Sequence, residues 1–209
     1  IKILVVACNT SSALALGVLQ KKLPVPVLGV IEPGAKEAIR HSKNKKIGII
    51  GTKATINSMA YVNAMKRIDP EIEVFSKSCP LFVPIAEEGL ENDKVAIFMA
   101  EKYLEELKAC SIDTLVMGCT HYPLLEWAIK TVMGDGITII NTGVETAKEV
   151  QKTLEEKKIL NDSGKGISEY FVTDSPETFR EIGNRFLGEK IKRIKTLKSL
   201  DYKDYLLSS

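Results

Sequence analysis

The sequence predicts an α/β fold with mostly parallel strands. Two observations carry that expectation. Short apolar runs alternate with longer segments of helical period from one end of the chain to the other, which is the rhythm of strand, crossover helix and next strand. The apolar runs are also uninterrupted and rich in β-branched residues, as in Ile3-Leu4-Val5-Val6 and Ile47-Gly48-Ile49-Ile50. Strands buried on both faces read this way, whereas strands with one wet face alternate.

Taken in order, residues 2–7 predict a buried strand and residues 10–22 an Ala- and Leu-rich helix closed by Leu23-Pro24. A short strand follows at 26–30, then a helix at 33–42 with Pro33 in its first turn, and a strand at 46–50. Residues 52–68 predict one long helix, ended by Asp69-Pro70. A strand is expected at 72–75. Residues 79–89 carry two prolines and predict an irregular loop. Residues 93–110 predict an amphipathic helix with Val95, Phe98, Met99, Leu104 and Leu107 on its apolar side. Strands at 113–117 and 137–140 flank a helix at 124–132, and a helix at 144–158 leads to a polar turn at 161–166. A strand at 169–172, a helix at 176–186 and a last strand at 191–194 complete the reading.

Composition bounds the function. The 209 residues are 44% hydrophobic and 27% charged, ample for a buried core and unlike a disordered chain. Lys and Arg number 29 against 27 Asp and Glu. The nearest basic cluster, Lys43 to Lys46, reads as a solvated turn, so no nucleic-acid partner is expected. No run of 18 apolar residues occurs, so no transmembrane helix is expected. No leader pattern opens the chain, which points to the cytoplasm and reduced thiols. The chain begins at Ile1, already inside a strand, which predicts a cut or processed terminus or preceding residues. The four cysteines form no C-x-x-C pair, and two histidines do not complete a zinc set.

In open α/β sheets ligands gather beyond the carboxyl ends of the strands. Three such junctions stand out: Ala7-Cys8-Asn9-Thr10, Gly51-Thr52 and Gly118-Cys119-Thr120-His121. The first and third resemble each other and suggest a weak internal repeat, each half presenting one thiol at a strand tip. A thiol that also opens a helix lies against the helix's positive end, which lowers its pKa and lets it give or take a proton near neutrality. Two such thiols on opposite sides of a bound molecule can invert a carbon centre without a cofactor: one removes a proton, the other delivers one. Asn9, Thr10 and Thr120 suit carboxylate binding. His121 can bias Cys119 toward thiolate, and Glu87 can orient His121. Each residue also has a plainer reading. A Cys after a strand is commonly a small buried apolar residue, Thr52 serves equally as a helix cap, and Glu87 and Glu88 read as solvated loop acids. Cys79 and Cys110 lack the junction setting and read as structural; His41 reads as a surface residue. A zinc or thiol site of Cys8, Cys119 and His121 stays one ligand short of the usual four.

Ala7-Cys8-Asn9-Thr10-Ser11-Ser12-Ala13 and Gly118-Cys119-Thr120-His121-Tyr122-Pro123-Leu124-Leu125 resemble the two signature motifs of glutamate racemases, within the aspartate/glutamate racemase superfamily. Ile31-Glu32-Pro33-Gly34-Ala35, Gly48 to Thr52 followed by Ala54-Thr55, and Cys79-Pro80-Leu81-Phe82 with Glu87-Glu88-Gly89 agree, so the resemblance covers nearly the whole chain. It implies cofactor-independent interconversion of L- and D-glutamate, supplying D-glutamate for peptidoglycan. Cys8 and Cys119 match the catalytic thiols, the first acting on the D-enantiomer and the second on the L-enantiomer. Asn9, Thr10, Thr120 and His121 match substrate contacts, as does Thr52, and Glu87 with His121 matches a pair supporting the second thiol.

The resemblance also implies two pseudo-symmetric, doubly wound parallel-sheet domains with the active site in the cleft between them. Their expected extents are residues 1–30 with 145–209 and residues 31–144. A small-molecule substrate, no metal and a homodimer as one arrangement complete the expectation. The family's opening Asp-Ser-Gly-x-Gly-Gly strand end and Pro-Tyr-Gly loop do not occur here, and that Asp supports the first thiol. If these 209 residues are the entire polypeptide, little or no turnover is expected; if further residues precede Ile1, the enzyme is expected to be intact. The alternatives are an inactive amino-acid-binding pseudoenzyme or a related aspartate or amino-acid racemase. Asn141-Thr142-Gly143 stands where the family usually shows an Asp-Ser-like pair, a change expected to matter little.

Overall fold

The computed structural model describes residues 1–164 and 166–197, in two compact units, Ile1–Leu160 and Asn161–Ser209. The first unit opens with β1 (Leu4–Val6), α1 (Asn9–Lys22) and β2 (Val27–Gly29), the two strands pairing in parallel. Helix α2 (Ile31–His41) leads into a four-stranded parallel sheet: β3 (Lys46–Gly51), β4 (Glu73–Ser78), β5 (Thr114–Gly118) and β6 (Thr138–Asn141), in spatial order β4-β3-β5-β6. The intervening helices are α3 (Lys53–Asn57), α4 (Ala60–Ile68), α5 (Phe82–Glu87), α6 (Lys94–Ala109) and α7 (Glu126–Met133). Helix α8 (Thr142–Glu156) closes the unit.

The sheet is wound on both faces, and its strand alternation shows why. Ile47 and Ile49 of β3 and Val116 of β5 point to one side, where Ala35 and Ala38 of α2 and Ala64 and Met65 of α4 cover them. Ile50, Leu115 and Met117 point to the other, against Phe82 of α5, Leu104 and Leu107 of α6 and Ile129 of α7. Every one of these residues is 0–3% exposed, and each large apolar side chain so buried contributes about 1.5–3 kcal/mol. From β3 the chain steps to β4 on one side, then crosses back to β5 on the other. The winding reverses between β3 and β5, and the crevice at their carboxyl ends is where a doubly wound sheet receives its ligand.

Three local expectations are corrected. The single helix expected over residues 52–68 is two helices, broken where Met59 adopts the left-handed conformation at φ 57°. Ser58 supports the break: its hydroxyl donates to the Thr55 carbonyl (2.6 Å) and accepts from the Ala60 N–H (3.2 Å). Left-handed backbone costs a non-glycine residue about 1–2 kcal/mol, and Met59 is half-exposed, so little packing compensates. Met59→Gly is therefore expected to raise stability by about 1 kcal/mol, read as a higher denaturation midpoint at unchanged slope.

The loop expected over residues 79–89 contains α5. Pro84 sits at its third position, where no intrahelical N–H bond is lost, and Glu87 is the last helical residue. Helix α6 buries Ala96, Ala100, Leu104 and Leu107, not Val95 and Phe98, which stay exposed. Small residues let its backbone lie close to the sheet, and Lys102 covers the Phe98 ring from 5.6 Å.

In the second unit β7 (Tyr170–Val172) and β8 (Ile194–Thr196) pair in parallel, joined through α9 (Pro176–Leu187). Ile191 is buried against Gly183, where an added Cβ would stand 2.5 Å from its Cδ1. The expected domain of residues 1–30 with 145–209 includes residues 198–209, which lie outside the described residues.

Candidate active site

Register places the site. Gly51 and Gly118 are partners at the ends of β3 and β5, so Thr52 and Cys119, the next residues of each chain segment, emerge side by side at the point where the winding reverses. Thr52 caps α3 through its hydroxyl, which accepts the Thr55 N–H at 3.1 Å. The hydroxyls of Thr10, Thr52 and Thr55 form a triangle with sides of 2.9, 3.0 and 3.0 Å. That triangle ties the start of α1 to the end of β3. It therefore brings Cys8, two residues before Thr10, to the crevice that holds Cys119.

The two thiols stand in different settings. Cys8 is exposed and is the N-cap of the fourteen-residue α1. Its partial burial works against ionisation. The backbone N–H and hydroxyl of Ser11, and then those of Thr10, favour the thiolate and prevail, holding it below the ordinary thiol value. Cys119 is 6% exposed. Desolvation pushes its thiol up, hydrogen bonds from the His121 and Tyr122 N–H groups only partly oppose this, and the charge of Cys8 adds to the push. The expectation that both thiols open helices is corrected here: after Cys119 the chain makes a one-turn 3₁₀ helix, Tyr122–Leu125, without the aligned dipole of a long α-helix.

The other expected residues gather around these two. Cys119 Sγ lies 3.9 Å from His121 Nδ1, and His121 Nε2 lies 3.1 Å from Glu87 Oε1. A carboxylate on Nε2 favours the tautomer with its proton there, leaving Nδ1 to accept from the thiol. The Thr120 hydroxyl, exposed beside them, is 3.5 Å from the same Nδ1. Asn9 is 2% exposed; its Oδ1 accepts from the Tyr61 hydroxyl at 2.6 Å, while its Nδ2 has no hydrogen-bond partner among the described residues. Cys79 is fully buried, its thiol pushed by desolvation to about 12. Cys110 caps α6 with its sulfur on the Glu106 carbonyl. His41 is on the surface, paired with Glu37. No group of three or more potential metal ligands occurs among the described residues, and no helix among them is long and apolar enough to cross a membrane.

Residues 1–150 match the family model described as Asp/Glu/Hydantoin racemase. The chain belongs to that racemase family. It is 49% identical to a glutamate racemase of Geobacter metallireducens over 192 residues, 91% of this chain and 71% of that one. The crystal structure of the glutamate racemase isoform RacE1 from Bacillus anthracis superposes with a TM-score of 0.91 at 41% identity, over 95% of this chain and 74% of that chain. The Francisella tularensis glutamate racemase, solved in complex with D-glutamate, gives a TM-score of 0.89 at 33% identity, over 97% of this chain and 75% of that chain. The α/β architecture is thus that of the two-domain racemases, and the chain is a racemase, an isomerase by reaction class.

Two residues at this crevice were not singled out by sequence reasoning. Thr55 is buried in the hydroxyl triangle; its signal was the Thr-x-x-Thr spacing, which turns a second hydroxyl back toward a helix start. Tyr61 left no such signal, because only the break at Met59 directs it inward. The contrast between thiols has a chemical readout. With limiting iodoacetamide at neutral pH, Cys8 is expected to be alkylated ahead of Cys119 and Cys79 in peptide mass maps. Its rate rises with pH as thiolate forms and levels off below the ordinary thiol value. Preferential modification of Cys119 would contradict this order.

Proposed function

We propose that this chain interconverts L- and D-glutamate by proton exchange between two thiols, without a cofactor, as the cytoplasmic source of D-glutamate for peptidoglycan. Cys8 thiolate takes the α-proton from one face of the bound amino acid, becoming a thiol. Cys119 thiol gives its proton to the opposite face, becoming a thiolate. One C–H bond breaks, one forms, and the configuration inverts. Asn9, Thr10, Thr52 and Thr120 hold the substrate's polar groups, and His121 with Glu87 takes up the Cys119 proton when the reaction runs the other way. In this scheme the catalytic domains are residues 1–30 with 145–209 and residues 31–144, in a homodimer.

The single observation behind this reading is the pair of oppositely tuned thiols at one crevice. Thiol–thiolate chemistry needs one protonated and one ionised sulfur at once, and the settings of Cys8 and Cys119 favour that state at rest. The bias cannot favour one enantiomer overall. The equilibrium constant between enantiomers is one, so kcat/KM must be equal in both directions, and the bias redistributes only kcat and KM together.

The test is the fate of solvent deuterium. In early turnover in D2O, the inverted product should carry deuterium at Cα while unreacted substrate keeps its proton, because the donor is a second, solvent-exchanged group. Equal early labelling of substrate and product would indicate a single shuttling base and sink the two-thiol scheme.

A further inference from the structure

We propose that Tyr61 is a positioning residue of this site: its hydroxyl fixes the Asn9 side-chain amide so that Nδ2 is presented as the free donor to the substrate. The inference rests on the functional reading above and deepens it by naming what holds the amide.

Asn9 is 2% exposed, yet its Nδ2 has no partner among the described residues. Leaving a buried amide N–H2 unpaired costs about 1–3 kcal/mol, so such a group marks a place completed by something else. An amide can rotate to exchange its oxygen and nitrogen, and only its partners decide which end faces the ligand. Here the deciding partner is Tyr61, whose hydroxyl donates to Oδ1 at 2.6 Å. A donor there selects the oxygen and turns the nitrogen away.

Tyr61 is itself held firmly. It is 2% exposed, and the Thr142 hydroxyl is its other polar neighbour. Its ring lies where two glycines leave room. A Cβ on Gly118 would stand 3.3 Å from the ring and 2.7 Å from the Ile50 carbonyl oxygen, and one on Gly34 would stand 3.5 Å from the ring. Gly118 immediately precedes Cys119, so the same ring backs both the thiol and the amide. Burial also raises the phenol far above its ordinary pKa, so it stays a donor throughout the working range.

The broken helix has a purpose in this arrangement. In one continuous helix residues 55 and 61 would lie about 120° apart around the axis, and only one could face the site. The break at Met59 lets α3 deliver Thr55 to the hydroxyl triangle and α4 deliver Tyr61 to Asn9.

The experiment is a double-mutant cycle of Tyr61→Phe and Asn9→Ala in the full-length protein, joined to NMR of the Asn9 side-chain amide. Tyr61→Phe keeps the ring and removes only the hydroxyl. It is expected to lower kcat/KM at least tenfold in the wild-type background and less than twofold in the Asn9→Ala background. The Asn9 N–H2 doublet should broaden or split in the ligand-free Phe variant, because the amide then samples both orientations. Equal losses in the two backgrounds would mean that Tyr61 acts only through packing and would overturn the inference, as would an unchanged amide doublet. If the wild-type protein racemises nothing, the functional reading fails, while the ligand-free amide spectrum still decides the role of Tyr61.

Discussion

Cys8→Ala and Cys119→Ala are each expected to lower racemisation by about 10³-fold or more, since each removes the thiol proposed to act on one face of the substrate. The two variants should not fail alike. With Cys119 gone, Cys8 can still take and return the proton on its own face, so one enantiomer should exchange its α-hydrogen with solvent without inverting. With Cys8 gone, exchange should persist only for the opposite enantiomer. By the face assignment the resemblance implies, these are D-glutamate for Cys119→Ala and L-glutamate for Cys8→Ala. The rates should differ as well. Cys8 is held below the ordinary thiol value and is ionised earlier as pH rises. Cys119 is held above it by burial and by the Cys8 charge. Exchange by Cys8→Ala at neutral pH should therefore be slower and climb further with pH. Losing the Cys8 charge relieves part of the push on Cys119, so the gap should be narrower than the native pair suggests. NMR of the α-proton with chiral chromatography measures both. Inversion surviving in both variants would reject the scheme.

Phe82→Ala is expected to cost about 3–5 kcal/mol, the range for emptying a buried aromatic site. In a domain of this size that is a melting temperature lower by roughly 6–20 °C. Phe82 is fully buried and meets Tyr103 and Tyr122 edge to face, with centroids 5.3 and 5.2 Å apart. Tyr122 is fully buried too, and its hydroxyl donates to the Cys79 carbonyl at 2.8 Å. This cluster seats the first residue of α5, whose last residue is Glu87, and it underlies the turn after Cys119. Activity is therefore expected to fall more than the unfolded fraction explains, because Glu87 loses its fixed position against His121. Thermal denaturation with activity measured well below the transition separates the two losses. A melting point within 2 °C of wild type would show that the cluster does not seat α5 in this way.

Much of the fold was legible because its strands are buried on both faces and leave unbroken apolar runs in the sequence. The tips that carry Cys8, Thr52 and Cys119 were legible for the same reason, since each lies at the carboxyl end of such a run. The illegible parts depended on contacts between distant segments. The face of α6 was misjudged because side-chain size suggested Val95 and Phe98, whereas close approach to the sheet selects Ala96 and Ala100. The break at Met59 has neither glycine nor proline to announce it, and Tyr61 becomes part of the site only through that break. The unequal setting of the two thiols was hidden because one motif leads into a long helix and its near-twin into a single tight turn.

The Thr10, Thr52 and Thr55 hydroxyls have three hydrogens and three mutual contacts. They can close a cycle in which each donates to the next, clockwise or anticlockwise, and a Cys8 thiolate draws the Thr10 hydrogen out of that cycle. An incoming oxygen atom can claim a hydrogen only by opening that cycle, trading an internal bond for an external one at little net gain. Hydroxyls arranged in this way contribute little to tightness of binding. They reward a guest whose negative charge favours one sense of the cycle over the other.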